Sequence, residues 1–358
     1  MTHDEDTINY IKGRGAQIKP HNKFRQHEYV QEHPEAIDEE LFSDPKTQIF
    51  FEHPKKIINK VDSPDLGLEA SMNPYQGCEH GCIYCYARNT HTYWGFNAGL
   101  DFESKIIVKP NAPELLEKEL SKPNYQVKVI MLSGNTDCYQ PLERKFQITR
   151  RMLEVLLKFR HPVGMITKNA LITRDLDLLK PMAEKGIVGV TISITSLKEK
   201  LRRMMEPRTA SCLKRLETVR ILSENGIPVN VNVAPIIPSI NSDEIPAIIK
   251  AVAEAGASDV HYTMVRLNGD VGKIFEDWVH KAFPDRAQKV LNQIKSVHGG
   301  TLNDSHWGRR MSGEGNIAGA IHQLFAVAKA KYFAGRSLPE LNCQLFSVPG
   351  SVKQTTLF

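Results

Sequence analysis

The strongest constraint on the fold is a regular alternation of apolar runs and amphipathic stretches between Lys105 and about residue 300. The apolar runs are rich in Val and Ile and have the length of strands. They are residues 106–108, 127–133, 163–167, 188–195, 229–237 and 260–267. Such runs are typical of parallel strands that are buried on both faces. Between them, apolar residues recur at helical spacing, and Gly226 and Pro228 fit the end of one such helix.

A further strand candidate, residues 69–75, precedes these units. With it, the sequence contains about six βα units, too few for an eight-stranded barrel. The pattern therefore predicts an α/β fold, a partial (βα)6 TIM-like barrel of parallel strands. In such folds the chemistry lies beyond the carboxyl ends of the strands. We expect the functional residues in the loops at that edge.

The 358 residues divide into three predicted regions. Residues 1–65 are polar and interrupted by prolines, and they are expected to form an N-terminal extension that wraps the core as loop. The alternative is a basic arm that contacts a substrate such as nucleic acid. Residues 66–300 form the partial barrel. Residues 301–358 form a C-terminal helical cap, with a helix over about 317–333.

Composition narrows the class of protein. No apolar run approaches the roughly 20 residues that a membrane span needs, and the N-terminus is polar and acidic rather than secretory. We therefore expect a cytoplasmic protein with no membrane partner. Six cysteines in so long a chain do not form a disulfide framework. The net charge of +5 is compatible with a polyanionic substrate such as nucleic acid without requiring one.

Three of the cysteines, Cys78, Cys82 and Cys85, are spaced C-x3-C-x2-C directly after the first predicted strand. Their thiolates are soft ligands that suit an iron–sulfur cluster or zinc. A closed zinc site needs four protein ligands, and this loop supplies three. A [4Fe–4S] cluster bound by three thiolates keeps one iron open, where a small molecule can bind and react. The loop is therefore the predicted metal site, at the mouth of the barrel.

This loop, with Tyr84 before its last cysteine and a parallel βα pattern over residues 65–300, resembles the radical SAM superfamily. The resemblance implies two cofactors, a [4Fe–4S] cluster and S-adenosyl-L-methionine (SAM). It implies a reductive cleavage of SAM to a 5′-deoxyadenosyl radical, which abstracts a hydrogen atom from a substrate. It also implies an external one-electron reductant of the flavodoxin or ferredoxin type.

The resemblance also implies a set of SAM contacts at the strand ends. A glycine-rich turn after the second barrel strand meets the amino group, and cations and a hydroxyl at later strand ends meet the carboxylate or ribose. The residues at these positions are Ser133, Gly134, Asn135, Lys168, Ser193 and Arg208. From the residues alone, Lys168 could be a surface lysine, Ser193 a buried hydroxyl bonded to backbone, and Arg208 part of a solvated basic face.

Within the superfamily, the context of Tyr84 and Tyr86 and the turn at 133–137 look most like the spore photoproduct lyase-related group, in an uncharacterised branch. DNA-repair members carry a hydrogen-donating cysteine in that turn, at the position of Gly134 here. Cys138 lies four residues later and is the candidate for a catalytic thiol. This departure argues against a DNA lyase, although a nucleic-acid lyase stays the second hypothesis.

Two other interpretations stay open. The three cysteines could form a zinc clip that His80, His91 or Cys138 completes. His80 is otherwise expected to be a solvated loop residue. The chain could also be a non-catalytic metal-binding interaction module, whose metal contributes to folding. The long barrel-like core argues against such a module, because a metal clip needs no scaffold of this size.

Overall fold

The computed structural model describes residues 11–24 and 46–350. Its strands are β1 (Gln48–Phe51), β2 (Ile58–Lys60), β3 (Ala70–Met72), β4 (Tyr75–Gln76), β5 (Lys105–Val108), β6 (Ile130–Leu132), β7 (Val163–Thr167), β8 (Val188–Ser193), β9 (Val229–Ile236) and β10 (Asp259–Met264). The main sheet has the order β10-β9-β8-β7-β6-β3-β2. Every pair in it is parallel except β2–β3. The predicted α/β fold with a mostly parallel sheet is confirmed, and β2 and β10 end the sheet.

Helices connect the parallel strands. They are α1 (Leu100–Ser104), α2 (Ala112–Leu120), α3 (Glu143–Phe146), α4 (Ile148–Phe159), α5 (Leu176–Glu184), α6 (Glu199–Met205), α7 (Cys212–Glu224), α8 (Ile245–Glu254), α9 (Asp270–Ala282), α10 (Ala287–Val297) and α11 (Gly315–Tyr332). Short 3-10 helices cover Tyr86–Trp94, Ala170–Asp175, Ser242–Glu244 and Pro284–Arg286. Within the described ranges, no helix combines the length and apolarity of a membrane span.

The two faces of the sheet differ, contrary to the expectation of burial on both. In β9, Val229, Val231 and Val233 are buried in the main core, whereas Asn230 and Asn232 between them are only partly buried. Alternate residues of a strand point to opposite faces, so the asparagines share the inner face. Asn230 donates to Thr191 at 3.3 Å and contacts the ring of His261 at 2.9 Å. The interior of the partial barrel is therefore polar rather than an apolar core.

The segment 106–108 does not join the main sheet, although the alternation predicts it there. It forms β5, the central strand of a separate sheet with the order β1-β5-β4. β1 is parallel to β5 and β4 is antiparallel to it. β4 ends two residues before Cys78, so this small sheet fixes the start of the cysteine loop. β1 and β2 also show that part of the region predicted as loop forms strands.

The described N-terminal segment, residues 11–24, lies against the cysteine loop. The buried carboxylate of Glu103 accepts the backbone N–H of Gly15 at 3.0 Å and of Ala16 at 2.7 Å, and it pairs with Arg88. A Cβ on Gly15 would lie 1.7 Å from the carbonyl oxygen of Gly81. Residues 11–24 are therefore anchored to Glu103 and to the cysteine loop, and the extent of the N-terminal extension stays a prediction. Residues 1–10 and 25–45 lie outside the described residues.

From α11 onward, the C-terminal region packs on the outside and at the bottom of the barrel. α11 packs against α8 and α10, and Lys329 on it pairs with Asp259 at 2.7 Å. Farther along, Asn342 N–H donates to Gly186 at 2.8 Å, and Leu341 lies beside Gly189. Both contacts are at the amino ends of the strands, so this part of the predicted cap does not cover the mouth. The domain boundaries at residues 65 and 300 stay a prediction.

We predict that Gly15→Ala destabilises the fold by about 1–3 kcal/mol, because a methyl group cannot fit beside Gly81 without moving backbone. Limited proteolysis should then cut the released segment around residues 11–24 faster. Gly319→Ala is the matched control, since a Cβ at Gly319 in α11 meets nothing within 4 Å. Denaturant unfolding measures both variants. Equal free energies of unfolding for the two would contradict the proposed close approach.

Candidate functional site

The cysteine loop lies at the carboxyl edge of the parallel sheet, where β3 and β4 lead into it. Its backbone is held by two other segments. Cys78 N–H donates to Phe102 at 2.9 Å, and Ile83 N–H donates to Met205 at 3.1 Å. Gly81 takes a left-handed conformation (φ 68°), where a Cβ would lie 2.9 Å from the Glu103 carboxylate. Glycine is therefore required at this turn of the loop.

The three thiols lie close enough to influence one another. Burial raises the pKa of Cys78, and the negative charges of Asp137, Cys82 and Cys85 raise it further. Burial also raises the pKa of Cys82, while the positive charge of Lys168 acts in the opposite direction. The structure thus brings the three predicted metal ligands together with a cation. All six cysteines are free thiols.

The donor set fits an iron–sulfur cluster. Three buried or half-buried soft ligands from one loop are the ligands such a cluster uses. In residues 11–24 and 46–350, no group of three or more His, Cys, Asp or Glu side chains is arranged to hold a metal ion. The fit therefore rests on the chemistry and the number of the three thiols.

A buried polar network lies beneath the loop and is centred on Glu206. Its carboxylate accepts hydrogen bonds from Thr195 at 2.6 Å and from Tyr84, and it pairs with Arg215. Arg215 also donates to the Ser193 carbonyl at 3.0 Å. Although burial opposes ionisation, the Arg215 charge lowers the pKa of Glu206 to about 2. The network ties the aromatic residue before Cys85 to the end of β8.

The predicted turn after the second barrel strand lies beside the loop. Ser133 has a left-handed φ of 81°, and its hydroxyl donates to Thr136 at 2.7 Å. Asn135 N–H donates to the side chain of Asn73 at 2.9 Å, next to the cysteine loop. The carbonyl oxygen of Gly134 accepts a hydrogen bond from Tyr86, which follows Cys85. The turn is therefore bonded to the segment around the cysteine loop at two points, through Asn73 before the cysteines and through Tyr86 after them.

Lys168 lies at the end of β7, facing the loop. Its ammonium group is 5.9 Å from the ring centre of Tyr84, and no carboxylate of the described residues lies within 4 Å of it. Its backbone N–H donates to Asp137 at 2.9 Å. An ammonium group in this position can bind an anionic group of a ligand. The position agrees with a SAM-carboxylate role, which stays a prediction.

His80 is buried, contrary to the expectation of a solvated loop residue. Its Nδ1 lies 3.3 Å from the Asp137 carboxylate, and its Nε2 lies 3.3 Å from the amide of Asn169. Asp137 also accepts a hydrogen bond from Thr167 at 2.7 Å. Burial opposes ionisation, but His80 and these donors lower the pKa of Asp137 to about 2. The pair joins the cysteine loop to the ends of β6 and β7.

The three remaining predicted site residues differ in how well their positions fit a role in the site. Ser193 is buried at the end of β8, on the inner face that β9 shares through Asn232. Arg208 lies beside the loop, 3.9 Å from the Glu79 carboxylate, and its Nη1 is buried without a hydrogen bond. Cys138 is fully buried in the main hydrophobic core. Its catalytic role stays a prediction that its position does not support.

Exposed aromatic side chains and cations lie near the mouth. Tyr86 and Trp307 are 56% and 53% exposed, so part of each ring is accessible to a ligand. Arg310 lies 3.7 Å from the Trp307 ring centre and pairs with Asp65 at 2.5 Å. Arg266 follows β10, and its Nε is buried without a hydrogen bond. Burial lowers the pKa of Arg266, and Arg310 lowers it further, so the two cations are neighbours.

Sequence reasoning missed the residues that support the site. Glu206, Asp137 and Asn73 are each next to a residue or motif singled out in the sequence, but no spacing shows that they are buried. Arg266 could have been found from its place just past a predicted strand. The pairing of Glu206 with Arg215 needs the fold, because helix α7 returns the chain to the end of β8.

The fold and the three thiols together define a class of protein. A family model described as the radical SAM superfamily matches residues 72–252, and the chain belongs to that superfamily. An uncharacterized protein of Mycobacterium tuberculosis is 31% identical over 234 residues, 64% of this chain and 69% of its own length. An uncharacterized protein of Methanocaldococcus jannaschii is 28% identical over 239 residues, 67% of this chain and 85% of its own.

Solved structures show the same fold. Spore photoproduct lyase complexed with dinucleoside spore photoproduct is similar with a TM-score of 0.57, over 82% of each chain. Its sequence identity of 16% restricts this likeness to the fold. The predicted membership of the radical SAM superfamily is confirmed, and the structural neighbour is the enzyme after which the predicted group is called.

We predict that Glu206→Gln destabilises the protein by roughly 3–5 kcal/mol at pH 7, because Arg215 is left buried without a counter-charge. In the wild type, the lowered pKa of Glu206 stabilises the fold above the ordinary value of 4.5, and this is lost as the pH falls toward about 2. The variant should therefore lose less stability between those pH values. Denaturant unfolding measures both effects.

Glu217→Gln is the matched control for this prediction. Glu217 is exposed on the same helix as Arg215, and its substitution should change stability by less than about 0.5 kcal/mol. Identical unfolding of the two variants at pH 7 would show that the buried pair is not what holds Tyr84 and β8 together.

Proposed function

We propose that the protein is a radical SAM enzyme in which Cys78, Cys82 and Cys85 hold a [4Fe–4S] cluster. With SAM bound, the cluster supplies one electron for reductive cleavage to a 5′-deoxyadenosyl radical, which abstracts hydrogen from a substrate. The observation that carries the proposal is that three thiols of one loop and the Lys168 ammonium lie near one another at the carboxyl edge of the parallel sheet. Membership of the radical SAM superfamily supports this chemistry.

The chain's own groups would bind and orient SAM. Lys168 offers a positive charge without a carboxylate partner of its own in the described ranges, so it can pair with the SAM carboxylate. Ser133, Gly134 and Asn135 form a turn whose backbone is fixed to Asn73 and Tyr86, so its polar groups can meet the amino group without reorganising. Ser193 supplies a hydroxyl on the inner face, and Arg208 supplies a second cation.

The polar interior suits a cofactor and substrate that enter from the mouth. Asn230, Thr191 and His261 keep this face hydrogen-bonded while leaving it partly exposed. The buried carboxylates of Glu103 and Glu206 hold the loop from two sides. An external one-electron reductant of the flavodoxin or ferredoxin type and a cytoplasmic location complete the proposal. Six free thiols suit a reducing compartment.

The direct test is anaerobic reconstitution with iron and sulfide. The wild type should take up about four irons per chain, and dithionite should then release 5′-deoxyadenosine from SAM. Cys78→Ser, Cys82→Ser and Cys85→Ser should each lose the cluster absorbance, because only three thiolates hold it. Cys212→Ser, outside the loop, should keep both iron and activity. If the reconstituted wild type also releases no 5′-deoxyadenosine, the assignment is refuted.

A nucleic-acid lyase is the second candidate function, as a narrower form of the first. Two exposed rings, Tyr86 and Trp307, lie at the mouth with Arg266 and Arg310. Rings can stack on bases while guanidinium groups pair with phosphates. Gly134 at the position of the hydrogen-donating cysteine distinguishes any such reaction from that of the DNA-repair members.

This second candidate predicts salt-dependent binding of a single-stranded oligonucleotide. The logarithm of the binding constant should fall linearly with the logarithm of salt concentration, and Arg266→Gln should reduce the slope by about 1. Lys180→Gln, on exposed α5 away from the mouth, should leave the slope unchanged. Fluorescence anisotropy measures both. This form of the function is excluded if binding does not depend on salt concentration, or if the salt dependence of binding has the same slope in Arg266→Gln as in the wild type.

A further inference from the structure

A groove lies on the outer flank of the barrel mouth, between α6, the loop after β9 and the connection from α9 to α10. We call it the flank groove. Its cavity volume is about 580 Å³. Lys198, Lys200 and Arg286 line it as exposed cations, and Asp243 is the one carboxylate among its lining residues. The lining thus carries a surplus of positive charge.

Of the three cations in the flank groove, one is paired with carboxylates of the described residues and two are not. Lys198 pairs with Asp243 at 2.8 Å and lies 3.9 Å from Glu244. Arg286 stacks on the ring of Phe283, with its guanidinium carbon 4.6 Å from the ring centre. Neither Lys200 nor Arg286 has a carboxylate within 4 Å among the described residues. Two cations at the rim therefore stay available to an acidic partner.

The floor of the flank groove is apolar and continuous with the cysteine loop. Leu201 and Ile240 line the groove and belong to the same buried cluster as Cys82, Ile83 and Tyr84. Met204 lines the groove, and the carbonyl of the next residue, Met205, accepts the Ile83 N–H at 3.1 Å. The floor of the groove and the cysteine loop are thus parts of one packed cluster of buried side chains.

We propose that the flank groove is the docking surface for a small acidic electron-transfer protein. The proposal rests on the function proposed above, which needs an electron donor while the mouth is occupied by SAM and substrate. A cationic rim around an apolar floor suits a transient complex that is steered by opposite charge. In each encounter the reduced partner would lose one electron, and a cluster held by Cys78, Cys82 and Cys85 would gain it.

The test compares two reductants on the reconstituted full-length protein. Stopped-flow absorbance follows cluster reduction by a flavodoxin hydroquinone and, separately, by dithionite. The variant is the double substitution Lys200→Glu with Arg286→Glu. The matched control is Lys118→Glu with Lys180→Glu, on exposed positions of α2 and α5, which changes the net charge equally.

At low salt, the groove variant should be reduced by flavodoxin at least roughly tenfold more slowly than the control, and the difference should disappear near ~0.5 M salt. Dithionite should reduce the wild type and both variants at the same rate. Equal flavodoxin rates for the two double variants overturn the proposal. A wild type that dithionite cannot reduce at all contradicts instead the function on which the proposal rests.

If dithionite also reduces the groove variant slowly, the reduction rates do not isolate docking. A binding measurement then decides. Oxidised flavodoxin is titrated onto the cluster-free chain by calorimetry, so the result does not depend on the loaded enzyme. An affinity for the groove variant at least roughly tenfold below that of the control supports docking in the groove. Equal affinities for the two variants overturn it.

Discussion

The site depends on two buried carboxylates that hold the cysteine loop from opposite sides. Glu103 accepts two backbone N–H groups of the N-terminal segment and pairs with Arg88, whose Nε donates to the Cys82 carbonyl at 2.9 Å. Glu206 pairs with Arg215 and accepts Tyr84. The cysteine loop has little regular structure of its own. Charged groups that are buried and fully paired make its backbone rigid, and breaking either pair is costly.

The sequence predicts the architecture well because parallel βα units have a strong local signature. The strands at 163–167 and 229–236 appear within one residue of their predicted limits. The segment 106–108 has the same apolar signature but pairs with β1, because strand pairing is decided by tertiary contacts and not by composition. The prediction also missed the polar inner face. The sequence V-N-V-N-V in β9 alternates between apolar and polar residues, whereas the prediction treated this segment as a continuous apolar run.

The parts of the candidate site that are close together in the sequence could be predicted from residue spacing. The parts that depend on burial could not. The three cysteines and the turn at 133–137 are local in sequence, and the structure brings them together. His80 seemed a solvated residue because its partners, Asp137 and Asn169, come from other strands. Cys138 seemed a candidate thiol by proximity in sequence, yet the turn that follows Ser133 directs it into the core. Side-chain direction after a tight turn cannot be read from spacing alone.

The contact between Leu341 and Gly189 has a consequence for the amino end of the barrel. Gly189 shares the inner face of β8 with Thr191, and the neighbouring strand also has a glycine, Gly164, at that level. A glycine has no side chain to fill this level, and Leu341 of the C-terminal region lies beside Gly189 instead. Shortening Leu341 would therefore uncover the amino end of the interior, on the side opposite to the cysteine loop.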